Sequence, residues 1–99
     1  MTATYACYMN VRTKPEKREE FKRLVLQLQA DVRRHESDTL TYEVLQGDDP
    51  DEFVFFECFT DEAAQQRHQQ APYHLAMSAA GWACLDGTPE IRFLRPIAP

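Results

Sequence analysis

Residues 53–59, FVFFECF, are apolar at six of seven positions and carry one carboxylate, Glu57. A strand alternates its side chains between two faces, so Phe53, Phe55, Glu57 and Phe59 share one side and Val54, Phe56 and Cys58 the other. Helices packed on a sheet cover one face, and the uncovered face of an antiparallel sheet is normally polar. Both faces of this strand need cover, and an acid has to be accommodated on one of them. Few small folds meet both requirements.

The flanking sequence narrows the choice. Residues 4–12, TYACYMNVR, read as a strand by their β-branched and aromatic content. Thr13 and Glu16 then have capping-box spacing, and Pro15 suits a first helical turn. Phe21, Leu24, Val25, Leu28 and Val32 form one apolar stripe at helical spacing, closed by Arg33, Arg34 and His35. Residues 39–46 alternate as a second strand, GDDPD makes a turn, and residues 52–59 form the third strand. Thr60 or Asp61 caps a second helix, which Pro72 interrupts. A third helical piece is expected from Tyr73 to about Ala80, ending near Gly81, and residues 89–95 give a last strand.

The order β-α-β-β-α-β, with right-handed crossovers, predicts a single α+β domain over residues 1–99, a ferredoxin-like antiparallel sheet with helices on one face. The cheapest cover for Val54, Phe56 and Cys58 is a second copy of the same sheet, so a homodimer is expected. A chain of 99 residues that is 43% hydrophobic and 27% charged is ordinary for a globular domain. Its net charge of −5, with Lys14, Lys17 and Arg18 interleaved with Glu16, Glu19 and Glu20, argues against nucleic acid or an anionic membrane as partner. No stretch approaches the roughly 20 apolar residues of a membrane span, and the N-terminal residues lack a signal-peptide core. Cys7, Cys58 and Cys84 fit free thiols in a cytoplasmic protein. With only Gly47, Gly81 and Gly87, no phosphate-binding loop can be written, so neither nucleotide nor flavin is expected.

The polar groups that break this pattern are the candidate site. Glu57 stands among phenylalanines, where an ionised acid is costly unless paired. The second helix is almost wholly polar, and its inward face runs through Ala64, His68 and Ala71; the small neighbours leave room beside His68. Tyr73 and His74 follow the helix break, and Tyr42 and Trp82 supply aromatic walls with polar handles. Together they suit a small apolar cavity with a few convergent polar groups. His68 and His74, with Pro72 between them and no carboxylate completing a set, make a poor metal pair, and no metal is expected.

The run FVFFECFTDEAAQQRHQQAPYH, with TLTYEVLQGDDPDEF and KPEKREEF before it, resembles the antibiotic biosynthesis monooxygenase superfamily, the dimeric α+β barrels. Glu57, Phe59, Asp61, Glu62, Ala64, His68 and Pro72 carry the resemblance. It implies cofactor-free oxygenation of phenols and quinols, isomerisation of a phosphorylated autoinducer, or haem degradation. The haem-degrading branch has a Trp where this chain has His68, and its haem-ligand His would fall near Ser78, which points away from haem. The order Tyr73 then His74 inverts the usual His-aromatic pair, leaving open which residue faces the site.

The resulting expectation is an oxygenase of a small phenol, quinol or enol that works without cofactor. His68 acts as the base, Tyr73 or His74 and Asn10 hold the oxyanion, Glu57 orients His68, and Tyr42 and Trp82 wall the pocket. The alternatives are an isomerase or lyase of a small oxygenated carbonyl compound, and a ligand-binding dimer without catalysis.

Overall fold

The computed structural model describes residues 2–98. Its elements are β1 (Tyr5–Arg12), α1 (Arg18–His35), β2 (Thr39–Gln46), β3 (Glu52–Phe59), α2 (Glu62–Gln70), α3 (Pro72–Ala83) and β4 (Glu90–Leu94). The four strands form one antiparallel sheet in the order β2-β3-β1-β4, the ferredoxin-like arrangement that the element order predicts.

Register decides which side chains meet. Cys7 and Tyr42 both pair with Glu57, Met9 and Val44 with Phe55, and Val11 and Gln46 with Phe53. Since paired residues point the same way, Cys7, Tyr42 and Glu57 lie side by side on the helix face. There the α1 stripe of Phe21, Val25, Leu28 and Val32 packs on Val11, Tyr42, Phe53 and Phe55. A smaller cluster of Tyr5, Cys7, Phe59 and Ala64 lies under α2. On the opposite face Phe56 pairs with Tyr8 and Glu43 and remains 41% exposed. Leu45 and Leu94 are exposed on that same face.

Three local expectations are corrected. Thr13 does not cap α1: its hydroxyl donates to Asp51 Oδ1 at 3.1 Å, and its backbone N–H donates to the Asp51 carbonyl at 2.8 Å. Residues 15–17 form a 3-10 turn instead, and α1 starts at Arg18, whose guanidinium also reaches Asp51 at 2.8 Å. The β2–β3 turn thus competes successfully for the would-be capping hydroxyl. Secondly, α3 runs through Gly81 to Ala83. Gly81 is buried against Met77, and a Cβ there would sit 2.7 Å from the Met77 sulfur, so this glycine serves close packing rather than helix termination. Thirdly, Gln65 joins Ala64 and His68 on the buried side of α2. The α2 cap is Asp61, whose carboxylate accepts from the Ala64 N–H at 2.8 Å.

Phe59 is fully buried where β3 meets α2. Phe59→Ala is expected to lower unfolding free energy by roughly 3–5 kcal/mol in urea titration, and a loss under about 1 kcal/mol would contradict the packing described.

Candidate active site

Glu57 sits near the C-terminal end of the central strand β3, flanked by Cys7 and Tyr42, and is 6% exposed. The helices close over it. The backbone of Ala71 is extended (φ −61°, ψ 139°), and Pro72 opens α3 in a new direction. The break brings the last turn of α2 against the first turn of α3, so the His68 and His74 rings lie 4.8 Å apart, nearly edge to face. Tyr42 and Phe59 pack on the same imidazole at 5.4 and 5.6 Å. His68 is therefore enclosed, 4% exposed, and the room expected beside it is taken by three rings.

Both ring nitrogens of His68 meet carboxylates. Nε2 lies 3.5 Å from Glu57 Oε1, and Nδ1 lies 2.9 and 3.1 Å from the two oxygens of Glu36. Glu36 also accepts from the Thr39 hydroxyl at 2.6 Å and from the Tyr73 hydroxyl. Burial pushes Glu36 up, but the bonds from His68, Thr39 and Tyr73 outweigh it and hold Glu36 below its ordinary value. An ionised Glu36 can only accept, so Nδ1 carries a proton. Nε2 faces Glu57 at 3.5 Å, within ion-pair reach but beyond hydrogen-bond geometry.

Glu57 is pushed up to about 7, first by burial and further by the charge of Glu36, against the opposing pull of His68. Beside it Cys7 is pushed up to about 12 by burial and by Glu57, so it stays a thiol. Burial, and then Glu57, also raise Tyr42, which keeps its phenolic proton. Burial and the charge of His68 lower His74, leaving it neutral at pH 7.

Two cavities flank His68. The inner one, about 70 Å3, is lined by Met9, Val11, Phe21, Leu28, Phe55, Met77 and Leu85, with polar edges from Tyr42, Glu57, His74, Ser78 and Trp82. No Lys or Arg lines it. The outer one, about 290 Å3, has a mixed lining that includes His35, Glu36, Asp38, Arg67, His68 and Tyr73. Among the described residues, no group of three or more His, Cys, Asp or Glu side chains is arranged to hold a metal ion. No described helix is long and apolar enough to cross a membrane.

The expected site residues are thus divided. Tyr42, Glu57, His74 and Trp82 line the inner cavity, while Tyr73 faces the outer one and bonds Glu36. His68 stands between the two and does not line the inner cavity. Asn10 pairs with Val54 and lies on the other face of the sheet, donating to Glu52 Oε2 at 3.0 Å, remote from this cluster. Glu36 escaped sequence reasoning. One signal was available: an acid directly after Arg33, Arg34 and His35 opposes the dipole at the helix C-terminus, so it must be held by something else.

The antibiotic biosynthesis monooxygenase family profile matches residues 4–80. The chain belongs to that family. Solved structures share the fold over nearly the full length. A provisionally named antibiotic biosynthesis monooxygenase from Caulobacter crescentus is 23% identical, with a TM-score of 0.91 over 96% of this chain and 91% of that one. PA3566 from Pseudomonas aeruginosa is 27% identical, with a TM-score of 0.86 over 99% and 98%. Rv0793 from Mycobacterium tuberculosis is 21% identical, with a TM-score of 0.89 over 98% of both chains. No curated protein sequence matches.

In this family member the buried acid has a pH signature. The folded value of Glu57, about 7, exceeds its ordinary value of 4.5. Its ionisation therefore costs nothing below about pH 4.5, costs progressively more between about pH 4.5 and 7, and levels off above 7. Glu57→Gln removes the charge at nearly constant shape. It is expected to stabilise the protein at pH 8 by on the order of 2 kcal/mol and to be near neutral at pH 4.5, read from urea midpoints. A variant less stable at pH 8 than at pH 4.5, relative to the parent, would contradict the assignment.

Proposed function

We propose that the protein is a cofactor-independent monooxygenase of a small, uncharged phenol, quinol or enol, with Glu57 as the base. The observation that carries this reading is a single carboxyl, raised to about 7, at the polar edge of an otherwise apolar cavity. A base is most effective with a value near the working pH. Sequence reasoning gave proton transfer to His68 and orientation to Glu57; the cavity lining supports the reverse, with His68 Nε2 setting the charge and position of Glu57.

Glu57 takes the substrate's hydroxyl proton, and the protonated Tyr42 phenol donates to the oxyanion. Neutral His74 and Ser78 border the same space, and Trp82 forms a wall near its mouth. The electron-rich anion gives an electron to O2 itself, and the ring carbon and superoxide then join. Loss of the ring proton and of water from the peroxide gives a quinone, so phenol plus O2 becomes quinone plus water with no external reductant. An apolar lining suits this chemistry because it keeps water from the intermediate. A cavity of about 70 Å3 favours a single ring over a polycycle.

A lining without Lys or Arg disfavours a phosphorylated substrate, and with it the autoinducer type of isomerisation. An uncharged carbonyl compound could still exchange a proton with Glu57. Oxygen uptake across a panel of simple phenols and hydroquinones separates these cases. The oxygenase consumes one O2 per quinone formed, with a rate that rises as pH increases through about 7 and Glu57 ionises. Glu57→Gln should lower turnover roughly 10²-fold or more while the protein stays folded. Deuterium exchange into a carbonyl substrate without oxygen uptake would favour the isomerase; neither activity would leave a binding module.

The open sheet face supports a homodimer. Phe56, Leu45 and Leu94 project from it, and facing a second copy would remove them from water. A dimer is expected in sedimentation at micromolar concentration, and Phe56→Asp should split it by putting an unpaired charge in the contact. A monomeric parent protein would overturn this.

A further inference from the structure

Glu57 needs somewhere to send its proton. Its cavity is apolar apart from Tyr42, His74, Ser78 and Trp82 at its edges. The groups facing it are Cys7 from β1, Tyr42 from β2, His68 from α2, His74 from α3, and Glu36 beyond His68 at the end of α1. Cys7 and Tyr42 hold their protons throughout the working range, and His74 makes no contact with the outer pocket. His68 alone touches an acid on each side. Its Nε2 is 3.5 Å from Glu57, and its Nδ1 is 2.9 Å from Glu36, which borders the outer pocket beside the exposed pair Arg67 and Asp38.

We propose that Glu57, His68 and Glu36 form a proton relay joining the enclosed carboxyl to water in the outer pocket on the far side of His68. The proposal rests on Glu57 being the group that takes the substrate's proton, but the relay can be tested with no substrate present.

The transfers balance. Glu57, once protonated by the substrate, closes the 3.5 Å gap to Nε2 and gives it the proton as the Nδ1 proton passes to Glu36 and from there to water. His68 is left neutral, with its proton on Nε2. When the reduced oxygen needs a proton, the path runs backwards. Water protonates Glu36, Glu36 returns a proton to Nδ1, Nε2 gives its proton to Glu57, and Glu57 gives it to the oxygen. The starting tautomer is restored without rotating a ring that Tyr42, Phe59 and His74 hold in place. Thr39 and Tyr73 are positioning residues here: their hydroxyls fix the Glu36 carboxylate against Nδ1.

The test is a light-triggered pH jump on the substrate-free protein, followed by infrared absorption of the protonated Glu57 carboxyl. The band is assigned by its loss in Glu57→Gln. The relay predicts that Glu36→Gln slows growth of the band by at least roughly tenfold with its final amplitude largely retained. If Glu36→Gln does not fold, Glu36→Asp keeps the charge, retracts the carboxylate from Nδ1, and should slow the band several-fold. An unchanged rate in the Glu36 variants would mean that protons enter by the mouth and would overturn the relay. Because no substrate is used, that result would leave Glu57 as the proposed base. Absence of oxygen uptake would remove the oxygenase reading and leave the relay standing.

Discussion

The contact between Glu57 and His68 organises this molecule. A carboxyl on the helix face of a central strand needs a partner that can carry positive charge. His68 supplies it from α2, but an imidazole buried between aromatic rings needs a partner of its own. Glu36 provides that from the end of α1, where the helix dipole makes an acid unwelcome unless it is bonded elsewhere. The break at Pro72 then brings Tyr73 to Glu36 and His74 to the inner cavity. One buried acid on β3 is thus tied, directly or through His68, to the end of α1, the last turn of α2 and the first turn of α3.

The two faces of β3 divide the work. Phe53, Phe55 and Phe59 build the core that encloses the cavity, while Phe56 turns to the open side, where the proposed dimer contact lies. The fold is shared with solved structures that are only 21% and 27% identical to this chain. Function has to be argued from Glu57 and its neighbours, because the sheet itself is common to all of them.

Periodicity made the framework readable. The α1 stripe, the alternation of β2 and β3 and the turn residues each report a short-range physical preference, and together they order the sheet. Glu57 and His68 stood out because each violates its local pattern. What stayed hidden depends on distant partners. Thr13 looked like a cap until Asp51, across the β2–β3 turn, claimed its hydroxyl. Gly81 looked like a stop because its packing on Met77 has no local signature. Whether Tyr73 or His74 faces the cavity is set by the rotation of α3 after Pro72, and Asn10 joined the candidate site only while the face of β1 was unfixed. The placement of Glu57 and His68 has the same origin. Sequence put both on inward faces, but only packing decides that Glu57 lines the inner cavity and His68 the outer one.

The central claim is that a buried acid at the cavity edge is poised near neutral pH. A carbon-13 NMR titration of the Glu57 side-chain carboxyl, identified by comparison with Glu57→Gln, measures it directly. The account predicts a midpoint near 7. A midpoint near the ordinary 4.5 would contradict it.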